Sequence, residues 1–175
     1  GEAAVSPAQL TFTNGNWDTA QTVTVTGVDD NATDGNQTTA LTVSVVDASS
    51  HDAFDAVADQ TVTMTTSDDD SPGVSVTESD GSTTTTESGG TDTFTVVLNT
   101  QPSSDVVASV VSSDTGEVTV SPAQLTFTSS NWDTAQTVTA TGVDDTTVDG
   151  TQNATITVSV VDNSSDDNYD PVGDV

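Results

Sequence analysis

The chain contains one long internal repeat, and this repeat limits the folds that it can adopt. Residues 1–60 align without a gap with residues 116–175 at an offset of 115, and about 40 of the 60 aligned positions are identical. A period of this length is too long for the unit of a solenoid and is typical of whole domains in tandem. We therefore expect about one and a half copies of a domain of about 115 residues.

The most regular part of the repeat is a predicted β-strand that ends in two acids. It runs through Thr22-Val23-Thr24-Val25-Thr26-Gly27 to Asp29 and Asp30, and the segment 137–145 repeats it. Apolar and hydroxyl residues alternate along it, which is the period-2 pattern of a strand with one buried and one solvent face. The pattern predicts a β-domain with an acidic pair at a strand end, where a cation could bind.

Further segments of the second copy show the same strand-like patterns. Predicted strands lie at 74–77, 93–98, 106–111, 118–120, 125–127, 137–143 and 155–161. Short strands at this spacing, without helical periodicity, are typical of an antiparallel sandwich. We expect an all-β fold of tandem sandwiches, with the continuously apolar segment 106–111 as a central strand.

The segment 67–73 marks the expected boundary between the two copies. It follows an alternating strand at 61–65 and contains three aspartates before a Pro-Gly pair, which breaks regular structure. We predict that residues 1–70 are the C-terminal part of one repeat and residues 71–175 most of the next. The second copy then lacks the last strand of the repeat. Because Gly1 falls in mid-pattern, we expect an interior piece of a longer protein.

The charge balance of the chain is extreme. It has 28 acidic residues, no Lys or Arg and one His, which gives a formal charge of −28. No internal salt bridge can relieve clustered carboxylates, so relief must come from bound metal, high salt or partner chains. Nucleic acid and anionic membranes are poor partners for such a surface. No apolar run is long enough for membrane insertion. Disorder is disfavoured by the regular alternation.

Catalytic chemistry is not expected from this composition. The chain has no cysteine and no lysine, and His51 is replaced by Asp166 in the second copy. Paired carboxylates can hydrolyse glycosides, but here they are expected at a domain tip and not in a cleft. We therefore predict that the protein is not an enzyme.

Trp17 and Trp132 could stack on sugar rings, although such residues more often pack over a sheet edge.

Five motifs in a fixed order resemble a known family. They are a strand ending in Glu78, Asp114-Thr-Gly116, the segment Ser121-Pro-Ala-Gln-Leu-Thr-Phe127, the strand tip Gly142-Val-Asp-Asp145, and the triplet at 68–70. In this order they are similar to the Calx-beta domain, especially to the Calx-beta-like repeats of large bacterial surface proteins and adhesins. The resemblance implies an immunoglobulin-like sandwich that binds several calcium ions at the tip facing the next domain.

The resemblance also implies a set of acidic calcium ligands. Calcium takes six to eight oxygen ligands, which carboxylates and carbonyls from several loops can supply. Solvated turns are the alternative, because Asp favours turns, but the lack of cations and the recurrence at strand tips favour metal. The implied ligands are Glu2, Asp29, Asp30, Asp68, Asp69, Asp70, Glu78, Asp114, Glu117, Asp144 and Asp145.

These features together predict a structural protein outside the cell or at its surface. Calcium would tie linker aspartates to strand-tip aspartates and fix the angle between neighbouring repeats of the same chain, which stiffens an adhesin or fibre. One alternative is a subunit of a self-assembling filament or sheath, in which an identical chain supplies the missing strand by β-augmentation. The other alternative is a carbohydrate-binding module.

Overall fold

Alternation of apolar and polar side chains along the sequence produces eleven β-strands in the computed structural model, which describes all 175 residues. The strands are β1 Ala3–Ser6, β2 Thr24–Gly27, β3 Gln37–Val43, β4 Gln60–Thr66, β5 Val74–Glu78, β6 Thr91–Leu98, β7 Val106–Ser112, β8 Val118–Ser121, β9 Gln124–Phe127, β10 Gln136–Gly142 and β11 Ile156–Val160. The expected all-β class is confirmed.

Short 3₁₀ helices are the only helical elements. They lie at Asp47–Ser49, Asp52–Phe54, Ser79–Gly81, Asp162–Ser164 and Asp167–Tyr169. None of them has the length or apolarity that crossing a membrane requires. The chain divides into two compact units, one of residues 1–30 with 34–69 and one of residues 31–33 with 70–175.

The second unit is built from two antiparallel sheets. One sheet has the strand order β5-β6-β10-β8, and the other has the order β11-β7-β9. Alternate apolar side chains of both sheets are buried together, an arrangement consistent with a β-sandwich. The apolar strand β7 is central in its sheet. The core consists of Phe94, Val96, Leu98, Val106, Ala108, Val110, Leu125, Phe127, Val138, Val158 and Tyr169.

The first unit contains two separate two-stranded sheets, β1-β2 and β3-β4. Its residues align with the part of the second unit from Gly116 onwards. No residue of the first unit is fully buried. Phe12 and Phe54, which align with the buried Phe127 and Tyr169, are 53% and 58% exposed. Residues 9–12, which align with β9, form no strand.

The stretch that recurs most closely forms the same turn in both copies. In the first copy, the side chain of Asn16 accepts a hydrogen bond from the amide of Thr13, and Gln21 Nε2 donates to the carbonyl of Thr11 at 2.8 Å. The aligned Asn131 and Gln136 make the same bonds in the second copy. These side chains satisfy backbone groups between strands, which explains why the turn forms without support from the core.

Candidate metal site

Two carboxylates of the second unit are brought together by strand register. Glu117 immediately precedes β8, and Asp145 follows β10. β8 and β10 are antiparallel neighbours with Val118 opposite Gly142, and the amide of Val143 donates to the carbonyl of Glu117 at 2.8 Å. The register therefore holds Glu117 beside the segment that carries Asp145.

Asp149, in the loop between β10 and β11, completes a cluster of three acids. One carboxylate oxygen from each of Glu117, Asp145 and Asp149 lies within 4.8 Å of the others. Asp145 Oδ1 accepts a hydrogen bond from the amide of Thr147 at 2.6 Å, and Gly150 has a φ of 79°. Glycine adopts such a positive φ readily, so the chain can turn directly after Asp149.

The cluster concentrates negative charge without a compensating side chain. Desolvation, followed by the neighbouring charges of Asp149 and Asp145, raises the pKa of Glu117 above its ordinary value. The chain contains no Lys or Arg that could offset these charges. Three carboxylates at this spacing repel one another unless a proton or a cation neutralises them. The arrangement is therefore a candidate cation site.

The spacing and chemistry of the three side chains fit calcium. Calcium–oxygen distances are about 2.3–2.6 Å, so two ligands of one ion lie at most about 5 Å apart. One oxygen from each of the three carboxylates lies within 4.8 Å of the others, which is inside this limit. Calcium takes six to eight oxygen ligands in flexible geometry, whereas magnesium requires a near-ideal octahedron and usually keeps several waters. Three carboxylates from separate segments therefore suit calcium better than magnesium.

The other acids predicted for the second unit lie outside this cluster. Asp114 Oδ1 accepts a hydrogen bond from the amide of Gly116 at 3.0 Å, which stabilises the turn before β8. Glu78 ends β5, and its Oε1 accepts from the amide of Thr83 at 3.1 Å. Asp144 is exposed to solvent. The structure therefore does not bring these three side chains into the cluster.

The aligned acids of the first unit lie next to the ends of the equivalent strands, β1 and β2. The carbonyl of Glu2 accepts a hydrogen bond from the amide of Val28 at 3.0 Å, and Asp29 and Asp30 come directly after. All of these positions match those of the second unit in sequence. The structure nevertheless gathers three acidic side chains only at Glu117, Asp145 and Asp149.

The aspartate triplet follows β4. Asp68 Oδ2 accepts a hydrogen bond from the amide of Gly35 at 2.7 Å, Asp69 is exposed, and Asp70 is half-buried. Gly35 aligns with Gly150, which follows the third acid of the cluster. Within the first unit, the triplet thus begins beside the loop that corresponds to the metal-site loop of the second.

Asp149 is the one member of the cluster that the resemblance does not predict. A signal exists in the sequence, because Asp34-Gly35 and Asp149-Gly150 recur at the repeat offset. Asp-Gly is also a common turn pair, so recurrence does not distinguish a ligand from a turn residue. Glu117 and Asp145 were both predicted, and the structure brings them together.

Asp166 is a buried carboxylate with a structural role. It is 3% exposed and accepts hydrogen bonds from Ser103 N and Oγ, both at 2.6 Å, from Ser104 N at 2.9 Å and from Asn168 N at 3.0 Å. Burial alone would raise the pKa of this carboxyl. The hydrogen bonds from Ser103, Asn168 and Ser104 outweigh burial and hold the pKa below its ordinary value. Its oxygens therefore join the segment Ser103-Ser104 to the 3₁₀ helix Asp167–Tyr169.

The single histidine has a comparable local role. His51 aligns with Asp166, and its Nδ1 accepts a hydrogen bond from the amide of Ala53 at 3.1 Å. Both side chains cap equivalent 3₁₀ helices, at Asp52–Phe54 and Asp167–Tyr169. The substitution between the copies is explained by this shared capping function.

The two tryptophans occupy different environments. Trp132 is half-buried and packs against the core of the second unit. Trp17, at the aligned position, is 71% exposed. Stacking on a sugar ring requires an exposed aromatic face, so Trp17 is the residue on which a carbohydrate-binding role would depend.

No protein-family model matches the sequence, and no curated protein matches it significantly.

Proposed function

We propose that this chain is part of a long extracellular structural protein built from tandem, Calx-beta-like sandwiches that bind calcium. Calcium at the domain ends and junctions would neutralise carboxylates and stiffen a self-repelling string of domains. Such a rod would hold an adhesive region away from a cell or build a surface fibre. The observation that carries the proposal is the cluster of Glu117, Asp145 and Asp149 in a chain without basic side chains.

Two properties of the fold support the proposal. The four-stranded and three-stranded antiparallel sheets of the second unit have the strand numbers of an immunoglobulin-like sandwich. The cluster lies where β8 begins and β10 has ended, at the end of a sheet, with both strands held in register. Ligands placed at the end of a sandwich are suited to linking one domain to the next.

A thermal melt in chelator and in millimolar calcium tests the proposal. Binding to the folded state alone stabilises it by about 2.7 kcal/mol when the calcium concentration is 100 times the Kd. For a unit of this size we expect the melting temperature to rise by roughly 10 °C. Magnesium should have a smaller effect, because it tolerates a wide all-protein ligand cage poorly. Equal melting temperatures in chelator and in calcium would refute the proposal.

Two matched variants distinguish calcium binding at the cluster from general screening of the protein's negative charge by calcium. Glu117→Gln removes one ligand charge from the cluster, and Asp105→Asn removes the same charge from an exposed loop position. We expect the calcium response to fall strongly in Glu117→Gln and to persist in Asp105→Asn. Because the pKa of Glu117 is raised, protons compete with the ion, and the wild-type response should weaken as the pH falls towards that pKa. Equal responses of the two variants would contradict the site.

A further inference from the structure

One peptide bond of the second unit, between Asp170 and Pro171, joins a carboxylic acid to a proline nitrogen. It follows directly after the 3₁₀ helix Asp167–Tyr169 and is the only Asp-Pro bond of the chain, since the other four prolines follow Ser or Gln. Proline has no backbone N–H, so its peptide nitrogen is tertiary and becomes a secondary amine when the bond breaks. The pair therefore combines a nucleophilic side chain with a basic leaving group.

A tight turn holds this bond at the surface. The amide of Val172 donates to the carbonyl of Tyr169 at 3.0 Å, so Asp170 and Pro171 are the two central residues of the turn. Tyr169 is 1% exposed and Val172 packs against the core, whereas Asp170 and Pro171 are exposed. The turn is thus anchored on both sides, and water can reach the bond between its central residues.

The carboxyl group of Asp170 can approach its own backbone carbonyl. It makes no hydrogen bond in the structure, unlike the carboxyl of Asp166, which accepts four. The attacking oxygen and the carbonyl carbon belong to the same residue, so rotation of the side chain is enough to bring them together. No other segment has to move for the two atoms to react.

Negative charges surround the Asp170 carboxyl. Desolvation, followed by the charges of Asp162, Asp167 and Asp166, raises the pKa of this carboxyl above its ordinary value. The chain has no Lys or Arg that could oppose this effect. The neutral acid therefore persists to a higher pH at Asp170 than in an isolated aspartate.

The first unit contains the same turn without the proline. The amide of Val57 donates to the carbonyl of Phe54 at 3.0 Å, and the central residues are Asp55 and Ala56, which align with the Asp-Pro pair. Asp55 is exposed although β4 follows it in the chain, and Asp170 is exposed although two sheets precede it. Exposure of the aspartate is therefore a property of the turn itself.

We propose that the protein cleaves its own backbone between Asp170 and Pro171 in mild acid. A carboxyl oxygen of Asp170 bonds to the backbone carbonyl carbon of the same residue, and the bond from that carbon to Pro171 N breaks. The carboxyl proton moves to Pro171 N, which leaves as a secondary amine. Water then opens the resulting cyclic anhydride to two carboxyl groups. The net reaction consumes water and needs no metal, so it does not depend on the proposed calcium site.

The rate follows the amount of neutral Asp170 carboxyl, because this form supplies both the attacking oxygen and the proton. Above the pKa, the neutral fraction falls roughly tenfold for each pH unit. A raised pKa therefore increases the rate at any fixed pH above it. We expect the folded chain to cleave at a pH at which the same bond is more stable in the unfolded chain.

Mass spectrometry of the full chain tests the proposal, with incubation in chelator between about pH 4 and 5, just above the ordinary Asp pKa of 3.8. The expected products are residues 1–170 and the peptide 171–175. The aligned bond between Asp55 and Ala56 is an internal control and should remain intact in the same sample. Pro171→Ala reproduces that aligned pair and should abolish the cleavage. Circular dichroism checks that the protein stays folded.

The same incubation in denaturing urea measures the contribution of the fold. We expect cleavage to be faster in the folded chain than in urea at each pH. Asp162→Asn and Asp167→Asn remove charges that raise the pKa of Asp170, so both should slow cleavage of the folded chain and have less effect in urea. Cleavage that is no faster in the folded chain than in urea would overturn the proposal. Equal cleavage after Asp55 and after Asp170 would also overturn it.

Discussion

Replacing Asp166 with asparagine tests whether one buried carboxylate holds the second unit together. The substitution keeps the size of the side chain and removes its charge. In the native protein, Oδ2 accepts hydrogen bonds from Ser103 N, Ser103 Oγ and Ser104 N, and Oδ1 accepts from Asn168 N. An asparagine has one acceptor oxygen, so it can serve one of these two sets of donors.

The loss of stability in Asp166→Asn follows from the hydrogen bonds that the asparagine can still make. If the amide oxygen faces Ser103 and Ser104, the amide nitrogen faces Asn168 N, and the helix cap is lost at a cost of about 1 kcal/mol. The remaining bonds become neutral, and such bonds are roughly half as strong as charge-assisted ones. With net values of about 1.5–3 kcal/mol for each bond to a charged group, weakening three bonds by half and losing the cap sum to roughly 3–5 kcal/mol. The lower desolvation cost of a neutral amide offsets part of this, so we expect a net loss of roughly 2–4 kcal/mol for Asp166→Asn at neutral pH.

Urea unfolding followed by the fluorescence of Trp132 measures this loss. Trp132 packs against the core of the second unit, and Trp17→Phe removes the exposed second fluorophore. His51→Asn is the matched control, because the aligned His51 caps its helix through a single exposed hydrogen bond. We expect this control to leave the Trp132 transition unchanged, since His51 belongs to the first unit.

The direction in which the stability contribution of Asp166 changes with pH follows from the pKa of its carboxyl group. The folded-state pKa of Asp166 lies below its ordinary value of 3.8. Its contribution to stability is therefore present above the unfolded-state pKa and is lost as the pH falls through the folded-state pKa. The difference between wild type and Asp166→Asn should be full at pH 7 and should shrink below about pH 4. A difference under about 0.5 kcal/mol at pH 7, or one that is the same at pH 2, would contradict this reasoning.

Two further substitutions test contacts in the second unit, with circular dichroism in urea as the measurement. Tyr169→Phe removes the hydrogen bonds between the phenol and Thr100, which join Tyr169 OH to Thr100 O at 2.7 Å and to Thr100 Oγ1 at 3.0 Å. We expect a loss of about 1–2 kcal/mol, and no loss would mean that water satisfies Thr100. In Gly142→Ala the new Cβ meets the backbone oxygen of Thr86, which should cost about 2 kcal/mol or more. Gly27→Ala, at the aligned position, meets only a side-chain methyl at 3.1 Å, and equal losses in the two variants would refute the argument.

Much of the second unit can be predicted from the sequence. Alternation within 93–98 and 118–120 predicts strands that the structure confirms as β6 and β8, and the apolar segment 106–111 becomes the central strand β7. These predictions succeed because a strand with one buried face requires an apolar residue at every second position. The acidic residues at strand ends are likewise visible in the sequence. The resemblance implies Glu117 and Asp145 as ligands, and the structure brings these two carboxylates together.

The sequence does not predict that Asp149 lies beside Glu117 and Asp145. Asp149 lies in the loop between β10 and β11, and one of its carboxylate oxygens lies within 4.8 Å of those of Glu117 and Asp145. The aligned residues of the first unit have the same sequence pattern and no such cluster. Distances between acids on different loops depend on how the strands beneath them pair, and that information is not contained in either loop.

One tetrapeptide that occurs in both copies shows most directly what the sequence alone does not determine. Gln9–Phe12 and Gln124–Phe127 have the same sequence, but only the second is a strand. β9 exists because it pairs with β7, where Val106 lies opposite Phe127, and because the ring of Phe127 is buried in the core. In the first unit, Gln9–Phe12 pair with no strand, and Phe12 is 53% exposed. The sequence by itself determined which segments are able to form strands and which strand ends carry acids. The tertiary structure decided which segments become strands, because a strand is stable only when a neighbour satisfies its backbone and covers its apolar face.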